Sequence, residues 1–411
     1  MAAPPRWLEA TPSDNLAIVL TLLLALLAAP AFPAQAEEPD GGCRACDMQG
    51  VRVCKKHPAE LAAYEAEVRF CSAAARCADC GGALTVDCGK CADGPASPLR
   101  EKRAFACERW MEVGSDPEKL FQRPLLRIET EHFEVIIDAE LKEGSKTYDA
   151  HTFGHFLARE LEAMAKSLDE HYGATAGSYA GRTRIWYWSK AEDHARVNRE
   201  IFGRNVDSAM KFYGAKPASS AWTGETGLEG KALNVAMNAV HVAAHLMMSS
   251  MFRAEWLNDK KAGWFDEGAG HWYEEMRFQR TATYCMDESN SDLDWEGGQW
   301  RVAIKNWLRK KPDAILPGLL AKLSGTLWPE EHGLSWSLYD WVVAEHRTKL
   351  KPLLMGFKDG KDARDLFREH LGLTVPQAEA AWRAWVEKTY PERDPKARKR
   401  LSGPSRDDDE E

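Results

Sequence analysis

The segment His241-Val-Ala-Ala-His245 lies within Leu233–Phe252, a stretch that is apolar on nearly every side and contains no proline or glycine. Such a stretch predicts a buried helix at the centre of a folded domain. Histidines four residues apart on a helix project from the same face, so His241 and His245 can bind a single metal ion. A third ligand must come from another element, and Glu267, just inside the next predicted helix, is the candidate. Two such histidines and a distal glutamate form a ligand set suited to zinc.

The composition is that of a globular protein with one large domain or two ordinary ones. The chain has 411 residues, of which 44% are hydrophobic and 28% charged. Its formal net charge of −9 gives no positive field for nucleic acid or for an anionic membrane, so neither is an expected partner. Most of the sixteen tryptophans follow position 255, where packing in a helical core is favoured over a carbohydrate-binding surface.

The amino terminus has the layout of a secretory signal peptide. An uncharged apolar run, Leu16–Ala29, is too short to span a bilayer comfortably and is followed by the small-x-small sequence ending at Ala36. Residues 1–36 are therefore predicted to be removed after Ala36, which predicts an exported protein, periplasmic or extracellular, with no stable membrane span. The one basic residue before the run, Arg6, is opposed by two acidic residues. An uncleaved anchor, or a start codon placed too early, is the alternative.

Residues 43–110 form a cysteine-rich region in which one spacing, Cys-x2-Cys-x7-Cys-x2-Cys or His, occurs twice. Four soft ligands at this spacing suit tetrahedral zinc, and the histidine in the first module favours metal because a histidine cannot join a disulfide. An exported context makes a disulfide framework the alternative. The ligands predicted for the two zinc knuckles are Cys43, Cys46, Cys54 and His57 in the first, and Cys77, Cys80, Cys88 and Cys91 in the second.

Beyond the cysteine-rich region the pattern changes from strands to helices. Alternating apolar residues predict strands at Leu126–Ile128, Phe133–Ile137 and Thr183–Trp188, with an edge strand at Ala218–Thr223. Helical spacing runs from Leu157 to Tyr172, ends at Gly173, and dominates from Ala232 onward. A strand-rich half followed by a helical half predicts an α+β fold with the histidine helix at the junction. The charged tail, 391–411, is predicted to be disordered.

Several segments of residues 123–390 together resemble a known family. These are Glu129–Phe133, His241–His245, Trp264–Tyr273, Ser335–Trp341 and Leu371–Trp382. They are similar to segments of the peptidase-MA-like gluzincin domains, zinc metallopeptidase-like domains of secreted bacterial proteins. The resemblance does not extend to the cysteine-rich region. It implies a gluzincin fold for residues 123–390 and a zinc site made by the two histidines and Glu267.

Two positions depart from the pattern of that family. The general-base glutamate that follows the first histidine in such enzymes is Val242 here, and a valine cannot accept a proton. Loss of a positioned general base typically lowers the rate by about 10²–10⁴-fold. The second departure is His271, where the resemblance implies a carboxylate that supports the first histidine. An imidazole at that position is either a fourth ligand, which would close the site, or a group that supports a ligand.

These residues predict a zinc-binding pseudoenzyme, a catalytically impaired metallopeptidase homologue that binds or scaffolds a peptide or protein ligand. One alternative is an active metallopeptidase whose base comes from elsewhere, with Asp266, Glu274 and His271 as candidates. Another is a domain without metal, in which only the zinc knuckles function. His332 lies near the position where the family has an oxyanion-stabilising side chain, and the alternative for it is a histidine in a surface loop.

Overall fold

The computed structural model describes residues 115–392, apart from positions 124, 215, 258–261 and 285–294, and three short strands nearer the amino terminus. These strands are β1 (Val51–Val53), β2 (Val68–Cys71) and β3 (Thr85–Asp87), and β1 pairs with β3 in antiparallel orientation. The predicted signal peptide, the eight predicted knuckle ligands and the tail beyond residue 392 lie outside the described residues. What was predicted for them therefore stays a prediction.

A mixed sheet occupies the amino-terminal half of the described chain. Strand β2 belongs to this sheet. Its other five strands are β4 (Arg127–Thr130), β5 (Phe133–Asp138), β8 (Thr183–Trp188), β9 (Met210–Phe212) and β10 (Ala218–Trp222). The order is β2-β4-β5-β8-β10-β9. Strands β5, β8 and β10 are parallel, and β4 and β9 are antiparallel to their neighbours. A separate hairpin is formed by β6 (Leu141–Glu143) and β7 (Lys146–Tyr148).

Strand β10 is an interior strand, so the prediction of an edge strand at Ala218–Thr223 is wrong. It pairs with β8 on one side and with β9 on the other, and β9 lies at the edge of the sheet. The short polar side chains of β10, Ser219 and Ser220, are buried. Burial is tolerated because Ser220 is satisfied: Trp188 Nε1 donates to Ser220 Oγ at 3.0 Å, and His194 Nδ1 lies 3.1 Å from the same atom.

Helices dominate the carboxy-terminal half. The helices of the described residues are α1 (Asp116–Phe121), α2 (Ala150–Tyr172), α3 (Ala191–Glu200), α4 (Ala232–Ser250), α5 (Gly263–Phe278), α6 (Trp300–Lys310), α7 (Leu316–Leu319), α8 (Pro329–His346), α9 (Leu350–Lys358), α10 (Ala363–Leu366) and α11 (Val375–Thr389). The predicted order of strands followed by helices is confirmed. Helix α2 connects the parallel strands β5 and β8, and α3 connects β8 and β10. Among the described residues, no helix has the length and apolarity needed to cross a membrane.

Helix α4 carries the histidine pair and is buried along almost its whole length, as the sequence predicts. It packs against α2 and the sheet on one side and against α5 on the other, and α5 in turn packs against α8. Close packing of α5 on α8 depends on Gly268, because a Cβ at this position would lie 2.5 Å from the carbonyl oxygen of Ser335. These contacts hold α4, α5 and α8 together at the centre of the helical half.

The carboxyl end of α4 is capped by a buried lysine from α9. Lys358 Nζ donates hydrogen bonds to the carbonyl oxygens of Ser249 at 3.0 Å, Met251 at 2.7 Å and Arg253 at 2.7 Å. All three ammonium protons therefore have acceptors, although the side chain is only 2% exposed. Burial lowers the pKa of Lys358 to about 7, whereas the three carbonyl groups favour the charged form. The carbonyl oxygens of Ser249 and Met251 also accept backbone N–H groups, so this lysine adds a charged donor to each of them and ties the end of α4 to α9.

His132 joins the sheet to α2 through two carboxylates. His132 Nδ1 lies 2.8 Å from Glu162 Oε2, and His132 Nε2 lies 3.3 Å from Asp169 Oδ2. Burial by itself would lower the pKa of His132, but the hydrogen bonds to Asp169 and Glu162 outweigh it and raise the pKa to about 10. The imidazolium form is therefore the native one at neutral pH.

Replacing His132 with glutamine is expected to destabilise the fold in a pH-dependent way. The folded-state pKa lies above the unfolded value of about 6.5, so the ion pairs stabilise fully below about pH 6.5 and lose this effect as the pH rises towards 10. Loss of one charged hydrogen bond, to Glu162, and of one ion pair, with Asp169, corresponds to about 2 kcal/mol in the variant. Urea unfolding of both proteins from pH 6 to pH 10 measures the difference, which should shrink with rising pH. A difference that stays constant over this range would contradict the charged pairing.

Candidate metal centre

The first part of the candidate site is the histidine pair on α4. His241 and His245 are both 0% exposed, and their Nε2 atoms lie 3.0 Å apart. The two rings meet at 69° with their centroids 4.8 Å apart, which directs both Nε2 atoms towards one region. The spacing of four residues on one helix face has therefore brought the two nitrogen atoms together as the sequence predicts.

Glu267 on α5 completes a trio of ligand atoms. Its Oε2 atom lies 3.7 Å from the Nε2 atoms of both His241 and His245. A point about 2.0 Å from all three atoms exists at the centre of this triangle, and zinc is bound by nitrogen and carboxylate oxygen at about 2.0–2.2 Å. The trio predicted from the sequence thus has the dimensions of a metal site.

The carboxylate of Glu267 has no compensating partner other than the surrounding imidazoles. The side chain is 0% exposed, and among the described residues neither Oε1 nor Oε2 has a hydrogen-bond partner. Burial raises the pKa of Glu267, but the facing rings of His245 and His241 outweigh it and hold the pKa well below the usual value. A buried, ionised carboxylate without hydrogen bonds is costly unless a cation lies beside it. A bound metal ion would meet that requirement.

Gly270 allows the backbone of α5 to approach the two histidines. A Cβ at this position would lie 2.8 Å from His245 Nε2 and 3.0 Å from His241 Cε1. A side chain of any size would therefore displace the rings or occupy the space between the ligand atoms. The absence of a side chain at residue 270 is a steric requirement of the site.

Replacing Gly270 with alanine is expected to weaken metal binding at least tenfold without unfolding the protein. The added methyl group meets His245 Nε2, while alanine in a helix interior is favoured over glycine by about 1 kcal/mol. Competition with a chromophoric chelator measures the affinity, and circular dichroism checks the fold. Gly318→Ala is the matched control, because an added Cβ there meets no atom within 4 Å. Equal affinities for Gly270→Ala and the unmodified protein would exclude this position from the site.

Both histidines of the pair are held from behind by carboxylates. Glu274 Oε2 lies 3.1 Å from His241 Nδ1, and Asp266 Oδ1 lies 2.9 Å from His245 Nδ1, the latter without the alignment of a hydrogen bond. Glu274 is itself fixed, since its Oε1 accepts hydrogen bonds from the backbone N–H groups of residues 282 and 283. Carboxylates on Nδ1 orient metal-binding histidines and leave Nε2 for the ion. The carboxylate that supports the first histidine is therefore Glu274 and not a residue at position 271.

His271 and His332 form a second pair beside the first. His271 Nε2 lies 2.9 Å from His332 Nδ1, and Glu267 Oε2 lies 4.0 Å from the first atom and 3.6 Å from the second. Burial lowers the pKa of His271 well below its usual value and that of His332 to about 3, so both rings are neutral. Neutral imidazole is the form that binds metal.

His332 is not in a surface loop, so that alternative is wrong. The side chain is 0% exposed and lies in the first turn of α8. The segment that resembles the gluzincin family begins at Ser335, but the helix begins at Pro329. The Glu331 carboxylate accepts a hydrogen bond from the backbone N–H of Trp328 at its start. Starting the helix six residues earlier turns His332 towards α5.

Aromatic rings close the space around the second pair. Tyr284 contacts His271 and His332 with ring centroids 5.7 and 5.3 Å away, and Trp300 contacts His271 at 4.9 Å. Val242, the residue at the general-base position, is 6% exposed and belongs to the apolar core. The seven imidazole and carboxylate side chains that face one another here are thus closed off from water; they are His241, His245, Asp266, Glu267, His271, Glu274 and His332.

Sequence reasoning did not assign Asp266 and Glu274 to the histidines, and it considered His332 for an oxyanion-stabilising role and not as a metal ligand. The positions on α5 share a signal, because residues 267, 270, 271 and 274 repeat at helical spacing and form one face. That face packs against α4. As a result, three groups of three side chains have their ligand atoms within 4.8 Å of one another. They are His241, His245 and Glu267; Glu267, His271 and His332; and His241, His271 and Glu274.

These buried histidine and glutamate side chains can bind a metal ion. The fit rests on the donor set, on the dimensions of the trio around Glu267 and on the two carboxylate oxygens for which the described residues provide no hydrogen bond. Comparisons of this chain with protein-family models, with curated proteins and with solved structures found no match.

Proposed function

We propose that this chain is an exported zinc-binding protein whose gluzincin-like domain has lost peptidase activity and serves to bind or scaffold a peptide or protein ligand. The observation that carries the proposal is the trio of His241, His245 and Glu267, with a common centre about 2.0 Å from each ligand atom. Two histidines and one glutamate favour zinc among the common divalent ions. The predicted zinc knuckles would add two further zinc ions to the same chain.

The loss of peptidase activity is supported by the groups around the trio. When bound, zinc supplies a Lewis acid that polarises a carbonyl group or a water molecule. Hydrolysis also needs a proton acceptor beside the reacting atoms, and Val242 provides none. Asp266 and Glu274 face the Nδ1 atoms, on the far side of each ring from Nε2, and therefore support the ligands instead of acting as a base.

The burial of the site supports the same proposal. His241, His245 and Glu267 are each 0% exposed, so a peptide bond cannot reach the centre while the surrounding side chains stay in place. A closed metal site is typical of structural zinc, whose binding energy contributes to folding. Zinc would then hold α4 and α5 together beneath the surface that contacts a partner.

The edge strand β9 supports a role in binding peptides. It forms the end of the sheet order, and an extended peptide can add to a sheet edge through main-chain hydrogen bonds. Trp256, which is 38% exposed and stacked on Tyr213 just after β9, offers an apolar contact nearby. Affinity by this mode requires neither a base nor an exposed metal.

The unmodified protein is expected to cleave peptides no faster than background. The test is incubation of the full chain with a quenched-fluorescent peptide library, with and without a metal chelator. The reason is the absence of an acceptor at Val242 together with the burial of the ligands. Robust hydrolysis that is sensitive to chelator and abolished in His241→Ala would instead establish the alternative of an active metallopeptidase with another base. An unmodified protein that binds no ion at the histidine helix would establish the metal-free alternative.

A further inference from the structure

We infer that the centre is binuclear, with a second divalent ion held by Glu267, His271 and His332 and with the Glu267 carboxylate shared between the two ions. The inference rests on the proposed site at His241, His245 and Glu267, to which it adds a neighbour. The second ligand set again contains two imidazoles and one carboxylate, which suits zinc and other divalent first-row ions.

The geometry of the second trio repeats that of the first. The nitrogen atoms of His271 and His332 lie 2.9 Å apart, and Glu267 Oε2 lies 4.0 and 3.6 Å from them. The corresponding separations in the first trio are 3.0, 3.7 and 3.7 Å. A point about 2.1 Å from all three atoms exists for the second trio, within the distances at which zinc is bound. Glu267 Oε2 therefore lies at similar distances, 3.6 to 4.0 Å, from both pairs of imidazole nitrogens.

The shared carboxylate oxygen sets an upper limit on the separation of the two ions, and this limit is compatible with paired metals. Each centre is about 2.0–2.1 Å from Glu267 Oε2, so the ions can be at most about 4.1 Å apart. Two-metal sites in proteins have separations of about 3.5–4 Å. Glu267 Oε1 also has no hydrogen-bond partner among the described residues, so the second oxygen can serve one of the two ions.

The neighbours of the second trio fit a ligand role better than a purely structural one. A proton shared between His271 and His332 would explain their contact, but it would leave Glu267 facing both rings without a hydrogen bond to either. Tyr284 contacts the ring of His332 and Trp300 contacts the ring of His271, both edge-on, with centroids 5.3 and 4.9 Å apart. The nitrogen atoms thus point towards a carboxylate oxygen in a space closed to water.

The experiment counts metal ions in the full chain by elemental analysis after removal of free metal. The cysteine-rich region contributes equally to every variant, so differences between variants count the ions of this centre. The unmodified protein is expected to hold one ion more than His332→Phe, one more than His245→Phe and two more than Glu267→Gln. The control is His194→Phe, a histidine equally buried but placed in α3, and it should keep every ion.

The outcomes separate the two proposals. Equal metal content in His332→Phe and the unmodified protein, with one ion lost in His245→Phe, would overturn the binuclear centre and leave the proposed function intact. No loss in His245→Phe would overturn both. If His332→Phe does not fold by circular dichroism, the unmodified protein loaded with cobalt(II) decides through electron paramagnetic resonance. Magnetic coupling between two adjacent cobalt ions is expected, and a spectrum of uncoupled ions alone would overturn the inference.

Discussion

Replacing His245 with alanine is expected to release the metal ion from the first trio and to lower the melting temperature by about 10 °C. A ligand present at about 1,000 times its dissociation constant stabilises the folded state by about 4 kcal/mol. In a domain of about 150–250 residues each kcal/mol shifts the melting temperature by about 2–4 °C. Truncation also leaves Asp266 buried without the ring that it faces, at 2.9 Å in the intact protein. Metal content and thermal unfolding, with and without chelator, measure both effects.

The control for this prediction separates metal loss from the loss of a buried ring. His194→Ala removes an imidazole that is also 0% exposed and that contacts Ser220 and Asn198 instead of a carboxylate cluster. It should lower the melting temperature while the metal content stays unchanged, and chelator should destabilise it as it does the unmodified protein. If His245→Ala kept its full metal content, the histidines of α4 would be packing residues only.

Restoring an acidic residue at position 242 is expected to produce chelator-sensitive hydrolysis of those peptides whose binding moves aside the side chains that cover the buried ligands. A positioned general base contributes about 10²–10⁴ in rate, so Val242→Glu should exceed the unmodified protein by a factor in that range. Val242 follows His241 on α4, and a carboxylate there is the group that the resemblance to gluzincins implies. Cleavage of a quenched peptide library measures the gain. Val242→Gln is the matched control, because it has nearly the same shape and no basic oxygen.

The interpretation of that experiment depends on the fold and on His271. Val242 is only 6% exposed, so a new carboxylate there is costly to bury and the stability of the variant must be measured first. If His271 blocks the centre as a ligand, hydrolysis should appear only when Val242→Glu is combined with His271→Asp. Folded, metal-bound forms of both variants that remain inactive would contradict the prediction that residue 242 is the main reason for the lost activity.

Local spacing was sufficient to predict the first trio, because its geometry follows from helices. His241 and His245 belong to one helix face, and a long apolar stretch without proline or glycine makes that helix central. Glu267 was found because a second helix follows after a short connection. None of this required knowledge of how distant segments pack.

The second pair could not be predicted in the same way. His332 follows His271 by 61 residues, and no local pattern in the sequence links the two positions. Their contact arises from the packing of α8 on α5, which depends on Gly268 and on where α8 begins. The carboxylates at 266 and 274 were visible as acidic residues, but their assignment to individual histidines requires the relative rotation of α4 and α5.

The dependence on contacts between distant segments also explains why the sequence did not predict helix α3 or the interior position of strand β10. Helix α3 was not predicted because its sequence, Ala191–Glu200, is largely polar, and its few buried residues are His194, Val197 and Asn198. Strand β10 consists mainly of serine and alanine, which carry little strand preference by themselves, so its sequence does not reveal that it is an interior strand. In both elements polar side chains are buried with partners from other segments, and such partners do not appear in a single stretch of sequence.

The cap on α4 also bears on the order in which the molecule can assemble. Lys358 closes loops of 105 to 109 residues when it reaches the carbonyl groups at the end of the histidine helix. Closing a loop of this length costs on the order of 4 kcal/mol in chain entropy, and contacts so distant in sequence slow folding. A nascent chain must therefore be complete as far as residue 358 before the end of α4 is secured. The lysine cap is accordingly one of the last contacts of the histidine helix to form during synthesis of the polypeptide.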